Sequence, residues 1–355
     1  MAEQHLALSD LDLILRETSP MWEEIRGRNL FITGGTGFFG CWLVESFVHI
    51  NRALDLGAHV TVLTRNPTGF AAKCPHLADD AAVTLLQGDV RNFEFPEGDF
   101  RFVIHAATEA SAKQAAEEPL EMLTTILTGT ERTLKFAAGH GTRKLLLTSS
   151  GAIYGPQPAD KTHTTEDYSG APNPLDPVSV YGEGKRASEQ MCALYASATG
   201  MDIKIARCFA FVGPHLQLDA HFAIGNFIRN AMEGSPIAVN GDGTAKRSYL
   251  YAADLAIWLW TMLFRAPSLQ PFNVGSEDAV SIRELAEAVA SILRPGLPVL
   301  IAKKPVAGQV LAQYVPSTRR AKEQLQLRQS VSLEDAILRT AAWHGYRFSS
   351  PQQAG

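Results

Sequence analysis

Residues 29–210 of this 355-residue chain predict a doubly wound α/β fold, a parallel sheet with helices on both faces. Three observations carry the prediction. Short apolar runs alternate with longer stretches of helical period. A glycine-rich turn, FITGGTGFFG, sits where the first run meets the first helical stretch. After about Phe211 the texture changes to helices separated by brief extended pieces, which reads as a smaller substrate-facing C-terminal lobe, residues 211–355, with some chain crossing back.

Taken in order, residues 1–28 read as an amphipathic helix plus linker, serving packing or a dimer contact. Strands are expected at Asn29–Thr33, His59–Leu63, Val83–Leu86, Phe102–His105, Lys144–Thr148 and Asp202–Arg207, each a short apolar or β-branched run bounded by polar or turn residues. Helices are expected from the glycine turn to about Leu54, over Leu120–Ala138, and over Val180–Thr199. In the second lobe they fall at Phe222–Met232, Ala253–Phe264, Ile282–Leu293 and Leu333–Trp343, with Ile237–Val239 extended between them. The proline-rich loop Gln157–Pro177 has little periodicity and is expected to reach the second lobe.

The totals exclude several function classes. A 46% hydrophobic, 19% charged chain is globular, and a net charge of -5 gives no electrostatic case for nucleic acid or an anionic membrane. The N-terminus carries acids where a signal peptide carries lysine or arginine. The apolar stretch Leu255–Phe264 has about half the length of a membrane span and reads as core. The expectation is a cytoplasmic protein. Cys41, Cys74, Cys192 and Cys208 form no CxxC pair, so they are expected as free thiols, with no metal site.

In the glycine turn, Gly34 permits the tight bend, Gly37 lets the backbone approach a pyrophosphate, and Gly40 lets helix and strand pack closely. The helix then begins with free N–H groups and a favourable dipole facing the phosphates. Such a strand-turn-helix predicts a Rossmann-type NAD(P) site, with Thr36 and Phe38 inside the same turn. An NAD-specific site usually carries an acid at the end of the second strand, and an arginine there suits a 2′-phosphate. Here Thr64 stands in that place and Arg65 follows, which favours NADP over NAD.

YGEGK places Tyr181 and Lys185 four apart on one helical face. An ammonium beside a phenol favours the phenolate, so Tyr181 is expected to have a lowered pKa and to act as a general base. Ser150, at the end of the fifth strand, would hydrogen-bond the reacting oxygen, and Lys185 would also hold the nicotinamide ribose.

The GxxGxxG spacing together with Ser150, Tyr181 and Lys185 resembles the extended short-chain dehydrogenase/reductases, the NAD(P)-dependent nucleotide-sugar epimerase/dehydratase family. The likeness runs from about Asn29 to Trp343. RCFAFVGPH resembles the family's RxFNxYGP, keeping Arg207, Gly213 and Pro214. GDGTAKRSYLYAADLA resembles GDGxxxRDxxYVxDxA, and FNVGSEDAVSIRELA resembles NVGxxxxxSxxELA, with Asn273 and Gly275. The resemblance implies that Asp89 contacts the adenine, with Val90, Ala106 and Ala107 completing the cofactor site. It implies that Arg247 grips the diphosphate of a nucleotide-diphosphate sugar, for which a bidentate cation is suited, and that Ser149, Ser150 and Asn226 help bind the substrate. It also implies a homodimer through the helices Leu120–Ala138 and Val180–Thr199. The sequence departs from the pattern at Ala210, where the family has asparagine, and at Ser248, where it has aspartate.

TSSGAIYG, residues 148–155, bears on the reaction. In the resembling 4,6-dehydratases and decarboxylases acids commonly follow the residue matching Ser150, and eliminating water from a 4-keto sugar needs a general acid and a general base. Gly151 and Ala152 are neither. The expectation is a nucleotide-sugar epimerase acting through C4 oxidation. The alternatives are an NADPH-dependent 4-ketosugar reductase, a dehydratase with relocated acids, and a cofactor-sensing scaffold without turnover. Glu109 is the relocated acid to consider, and His215 matches a catalytic histidine of resembling C3/C5 epimerase-reductases. Cys208 reads as a buried strand thiol.

Overall fold

The computed structural model describes residues 5–108, 112–220, 222–306, 308 and 311–347. Its centre is a seven-stranded parallel sheet: β1 (Asn29–Thr33), β2 (His59–Thr64), β3 (Val83–Gln87), β4 (Phe102–His105), β5 (Lys144–Ser150), β6 (Asp202–Cys208) and β7 (Pro271–Val274). The spatial order is β7-β6-β5-β4-β1-β2-β3. Every pairing is parallel, for example Leu30 with Val60 on one side and with Phe102 on the other. The order reverses between β1 and β4, which opens a crevice at their C-terminal ends, the usual place for a ligand in such sheets.

All but the edge strand β3, where Thr84 and Gln87 are exposed, are largely buried on both faces, as a parallel sheet covered by helices requires. Leu30 and Ile32 join the core on one face and Phe31 the core on the other, following the period-two pleat. Phe31 stacks on Phe93 at 5.5 Å between ring centroids and lies 4.4 Å from Phe136. The opposite core takes in α2 (Phe38–Ala53) and the helix Ala252–Arg265, all of whose residues but the last are buried. A helix apolar all round belongs inside.

The N-terminal segment packs onto that core. It forms α1 (Leu8–Thr18) and a 3₁₀ stretch, Ser19–Ile25. Trp22 is fully buried against Trp260 at 4.7 Å, and Asp10 accepts a hydrogen bond from the Tyr251 hydroxyl at 2.6 Å. On the other face, the helices Pro119–Gly139 and Val180–Thr199 lie together, joined by Thr130 and Ser188 hydroxyls 2.9 Å apart.

Most expected elements stand within two residues of their expected bounds. The strand β7 was not expected. Only four residues long and opening on proline, it returns from the C-terminal part of the chain to pair with β6, Asn273 opposite Arg207. Among the described residues, no helix is long and apolar enough to cross a membrane.

Candidate active site

The glycine turn joins β1 to α2 at the switch point. Gly34 has φ +72°, and a side chain there would meet the backbone of Ala106 and Ala107 at 2.6 Å. Only glycine admits that approach. Gly40 lies against Gly35, with a Cβ position 2.2 Å from its carbonyl carbon. Gly37, the N-cap of α2, differs: a Cβ there would meet only the Gly34 oxygen, at 3.5 Å. Room beside the middle glycine, at a helix N-terminus, is what a dinucleotide diphosphate needs. Thr36 and Phe38 flank Gly37.

At the end of β2, Arg65 is exposed and close enough to Asp89 to favour its carboxylate. The Asp89 carboxyl is held below its ordinary pKa chiefly by its hydrogen bonds from Arg91, whose Nε donates at 2.8 Å. Val90 is buried beneath, against Gly129. Arg65, Asp89 and Val90 thus line one side of the switch point, with Ala106 and Ala107 at the end of β4.

Ser150 ends β5, and Tyr181 and Lys185 open the helix Val180–Thr199 beside it. The Tyr181 and Ser150 hydroxyls are within hydrogen-bonding reach. Lys185 Nζ lies 5.9 Å from the Tyr181 ring centre and donates to the Thr148 carbonyl at 2.8 Å and to Thr108 Oγ1 at 3.0 Å. Burial pushes the lysine down to about 8. The expected lowering of the phenol is corrected here: loss of solvent outweighs the Ser150 hydrogen bond and holds Tyr181 at about 12. Tyr181 and Lys185 by themselves leave the phenol protonated at neutral pH.

A further residue belongs to this group and escaped the sequence. Tyr314 sits on a two-residue strand, Gln313–Tyr314, paired in parallel with Lys246–Arg247. Its hydroxyl is also within hydrogen-bonding reach of Ser150, and burial raises its pKa above the ordinary phenol value. Its ring packs on Phe209 at 4.6 Å, and the Arg247 guanidinium lies 5.9 Å from its centre. Arg247 Nη1 donates to the Lys246 carbonyl at 2.7 Å, and its partners among the described residues are carbonyls, not carboxylates.

Other expected residues go elsewhere. Ser149 points away from Ser150, as adjacent strand residues must, and donates to Glu189 at 2.6 Å. Glu189 is gripped by Arg207 through Nε at 3.0 Å and Nη2 at 2.7 Å. Arg207 also donates to the Tyr154 hydroxyl at 2.9 Å, and Tyr154 to Asn273 at 2.8 Å. The conspicuous Arg207, Tyr154 and Asn273 therefore brace the sheet edge, and Ser149 is corrected to that network. Asn226 bonds the carbonyls of Ala220 and Phe222, at 2.9 and 3.3 Å, and makes no hydrogen bond to the triad. His215 is buried against Trp343, ring centres 4.6 Å apart, beside Cys41 and Cys74 and not beside Ser150. Glu109 lies outside the described residues. Cys208 remains a thiol, pushed up to about 12 by burial.

His105, on β4 beneath the triad, was also not foreseen. Its ring nitrogens meet Thr33 Oγ1 at 2.7 Å and Thr130 Oγ1 at 3.2 Å, and burial followed by the Lys185 charge pushes it down to about 3. It is a neutral strut between β1, β4 and the paired helices.

A parallel sheet with a glycine turn at its switch point and a Ser–Tyr–Lys group beside it defines an enzyme built around a nicotinamide dinucleotide. The comparisons with known proteins agree. The chain belongs to the NAD dependent epimerase/dehydratase family, whose model matches residues 30–275. The UDP-glucuronic acid decarboxylase 1 of Arabidopsis thaliana is 31% identical over 310 residues, 87% of this chain and 68% of the relative. The UDP-glucuronic acid decarboxylase 1 of Danio rerio is 30% identical over 88% of this chain and 72% of its own. Among solved structures, the Bacillus cereus UDP-glucuronic acid 4-epimerase, in complex with UDP-glucuronic acid and NAD, superposes with a TM-score of 0.75 at 22% identity, covering 89% of this chain and 98% of that one. The Thermus thermophilus UDP-glucose 4-epimerase complex with NAD gives 0.72 at 25% identity, over 89% and 99%.

Proposed function

We propose that this enzyme is a nucleotide-sugar epimerase that works through transient oxidation at the sugar C4. The observation that carries this reading is that, among the described residues, the surface beyond Ser150 is neutral. Gly151 and Ala152 offer no proton, and Gly151 lies so close to Phe209 that even a Cβ would stand 2.7 Å from the ring. Glu189 is bound by Arg207, and Glu166 is turned to the Asn273 N–H at 2.9 Å. Around the Ser150 hydroxyl stand two tyrosines and a thiol, which suit moving one proton and little else.

In this reading Gly34, Thr36, Gly37, Phe38, Gly40, Asp89, Val90, Ala106 and Ala107 hold the dinucleotide, and Arg65 favours its 2′-phosphorylated form, NADP over NAD. When bound, that group accepts a hydride from the sugar carbon and later returns it. Tyr181 takes the C4 hydroxyl proton and gives it back. Because its own surroundings hold the phenol near 12, an added positive charge is needed to make it a base. Ser150 and Tyr314 hydrogen-bond the same oxygen, and Arg247 holds the diphosphate. The ketone is planar, so inversion needs only that the sugar present its other face, with no acid or base beyond Tyr181.

A second reading rests on the two decarboxylase relatives. Oxidation at C4 of a glucuronic acid makes a β-keto acid, which loses carbon dioxide with little further help. Arg65 keeps the 4-ketosugar reductase in view. Incubation with NAD⁺ or NADP⁺ and a panel of nucleotide hexoses and hexuronic acids, read by mass spectrometry, separates these. An isomer of unchanged mass supports the epimerase. Loss of carbon dioxide supports the decarboxylase, and loss of water refutes both. Turnover only of 4-keto sugars with NADPH supports the reductase. A homodimer through the helices Pro119–Gly139 and Val180–Thr199 belongs to the same reading, supported by exposed Leu120 and Leu194, 80% and 60% accessible.

A further inference from the structure

Three side chains far apart in sequence converge on the far side of the glycine turn. Cys41 follows Gly40 on α2, Cys74 joins the short helices Pro67–Lys73 and Pro75–Ala78, and His215 follows the strand Phe211–Val212. All three are buried, and their two sulfurs and a ring nitrogen lie within 4.8 Å of one another. Neither His215 ring nitrogen has a hydrogen-bond partner among the described residues, although both are buried, the residue is 5% exposed and its backbone sits at φ +69°. A buried imidazole normally finds a partner, and a non-glycine residue at positive φ carries backbone strain. Such a ring, aimed at two thiols, is unexplained by packing alone.

We propose that Cys41 Sγ, Cys74 Sγ and a His215 ring nitrogen bind a zinc ion, a site separate from the Ser150–Tyr181–Lys185 group. Two thiolates and an imidazole suit zinc by donor softness. Zinc bonds of about 2.3 Å to sulfur and about 2.0 Å to nitrogen place tetrahedral ligand atoms roughly 3.5 Å apart, so the trio need close by only about 1 Å. Two thiolates also cancel the ion's charge, which a buried position demands. The cluster continues outward. Glu45 Oε1 lies 3.4 Å from His76 Nε2 and 4.0 Å from His5 Nδ1, and Glu45 Oε2 is buried without a hydrogen-bond partner among the described residues. His5 is exposed, and Glu45 lies near enough to Cys41 and Cys74 for their charges to interact, so this second group offers a fourth ligand or an entry path. Zinc here would pin the first turn of α2, which faces the cofactor, to the loop leading into the C-terminal lobe. Trp42 already bonds the Pro214 carbonyl at 2.9 Å along the same seam.

The test uses the full chain, reduced and stripped of metal with a chelator, then titrated with cobalt(II). Zinc binding by the trio predicts a thiolate-to-cobalt charge-transfer band saturating at one equivalent per chain and abolished by stoichiometric zinc. Zinc is expected to raise the melting temperature of the stripped protein. Cys74→Ser and His215→Gln should each weaken cobalt binding at least a hundredfold, while Cys192→Ser, in the opposite core, should not change it. Absence of the band in the unmodified chain, with Cys41 and Cys74 equally reactive to a thiol reagent with and without zinc, would overturn the proposal. So would isolation of metal-free protein carrying a Cys41–Cys74 disulfide. The unmodified chain is read directly, so the proposal stands or falls even where a variant fails to fold.

Discussion

Gly37 and Gly40 belong to one motif, yet the structure predicts opposite consequences for the same small substitution. At Gly40 an alanine Cβ would lie 2.2 Å from the Gly35 carbonyl carbon and 2.3 Å from the Gly34 oxygen, all backbone, so the turn must move away by more than about 1 Å. Overpacking of that kind costs roughly 1–3 kcal/mol, and the better helix propensity of alanine returns about 1 kcal/mol. Gly40→Ala should therefore lose about 2 kcal/mol of folding stability at the upper end of that range. Gly37 has φ −81° and ψ −174°, ordinary for alanine, and its Cβ would meet only one atom, at 3.5 Å. Losing a good N-cap costs roughly 0.5–1 kcal/mol, and the lower entropy of the unfolded chain returns about as much. Gly37→Ala should fold like the parent. Its methyl, however, occupies the space a diphosphate needs, and displacing one or two charge-assisted hydrogen bonds at about 1.5–3 kcal/mol each weakens NAD(P) binding by roughly tenfold to more than a hundredfold. Urea denaturation gives the first quantity and calorimetric titration with NAD⁺ and NADP⁺ the second. A Gly37→Ala protein that binds dinucleotide at parental affinity, or that is as unstable as Gly40→Ala, would refute the argument.

Other consequences follow from the same group. Tyr181→Phe should keep the fold and cofactor binding while lowering turnover by about 10²–10⁴, measured by product formation from the best substrate. Tyr314→Phe, which in the proposed reaction removes only a second donor to the sugar oxygen, should cost roughly tenfold in kcat. Lys185 is held at about 8 in the folded chain, below its ordinary value of 10.5, so between those pH values the unfolded chain binds the extra proton and stability rises with pH. The parent should therefore gain about 2–3 kcal/mol relative to Lys185→Met between pH 8 and pH 10, in paired urea titrations, and an unchanged gap would contradict the buried cation.

The strands β1 to β6 were legible because each is a short apolar or β-branched run bounded by polar or turn residues, unbroken in Leu30–Ile32, Phe102–Ile104 and Leu145–Leu147 and alternating at Ile203 and Ile205 of β6. β7 was not, since PFNV is too short to show a period and each of its residues pairs with one far earlier in the chain, Pro271 with Ile205 and Val274 with Cys208. Tyr314 escaped for the same reason: the pairing that carries it to Ser150 joins Tyr314 to Arg247, which no local pattern encodes. Cys41, Cys74 and His215 lie 33 and 141 residues apart, outside any ligand spacing, and only the fold brings them together. The four-residue interval between Tyr181 and Lys185 did give their proximity. It did not give the sign of the tyrosine's shift, which depends on how much solvent is lost, and that is a property of the packed site.

Ser149 and Ser150 show how one stretch divides between framework and chemistry. Adjacent on β5, they face opposite sides of the sheet, Ser150 toward Tyr181 and Ser149 toward the Glu189–Arg207 pair. Both charged side chains of that pair are 13% exposed, and Arg207 reaches Tyr154 at 2.9 Å and the Glu166 carbonyl at 3.2 Å. Arg207→Met leaves Glu189 with Ser149 alone, and removing one member of a buried pair costs about 3–5 kcal/mol. Replacing both charges, Arg207→Met with Glu189→Leu, removes the stranded carboxylate and should recover most of that loss, because a buried pair is often no better than a packed apolar substitute. Urea midpoints of the two variants decide the matter. A single variant that loses under about 1 kcal/mol, or a double variant no better than the single, would mean that the pair does not brace this edge of the sheet. If the bracing holds, activity should follow stability in the single variant and return in the double, since among the described residues the hydrogen bonds of Arg207 and Glu189 go to Ser149, Tyr154, Glu166 and each other, and only the charge of Glu189 reaches Lys185.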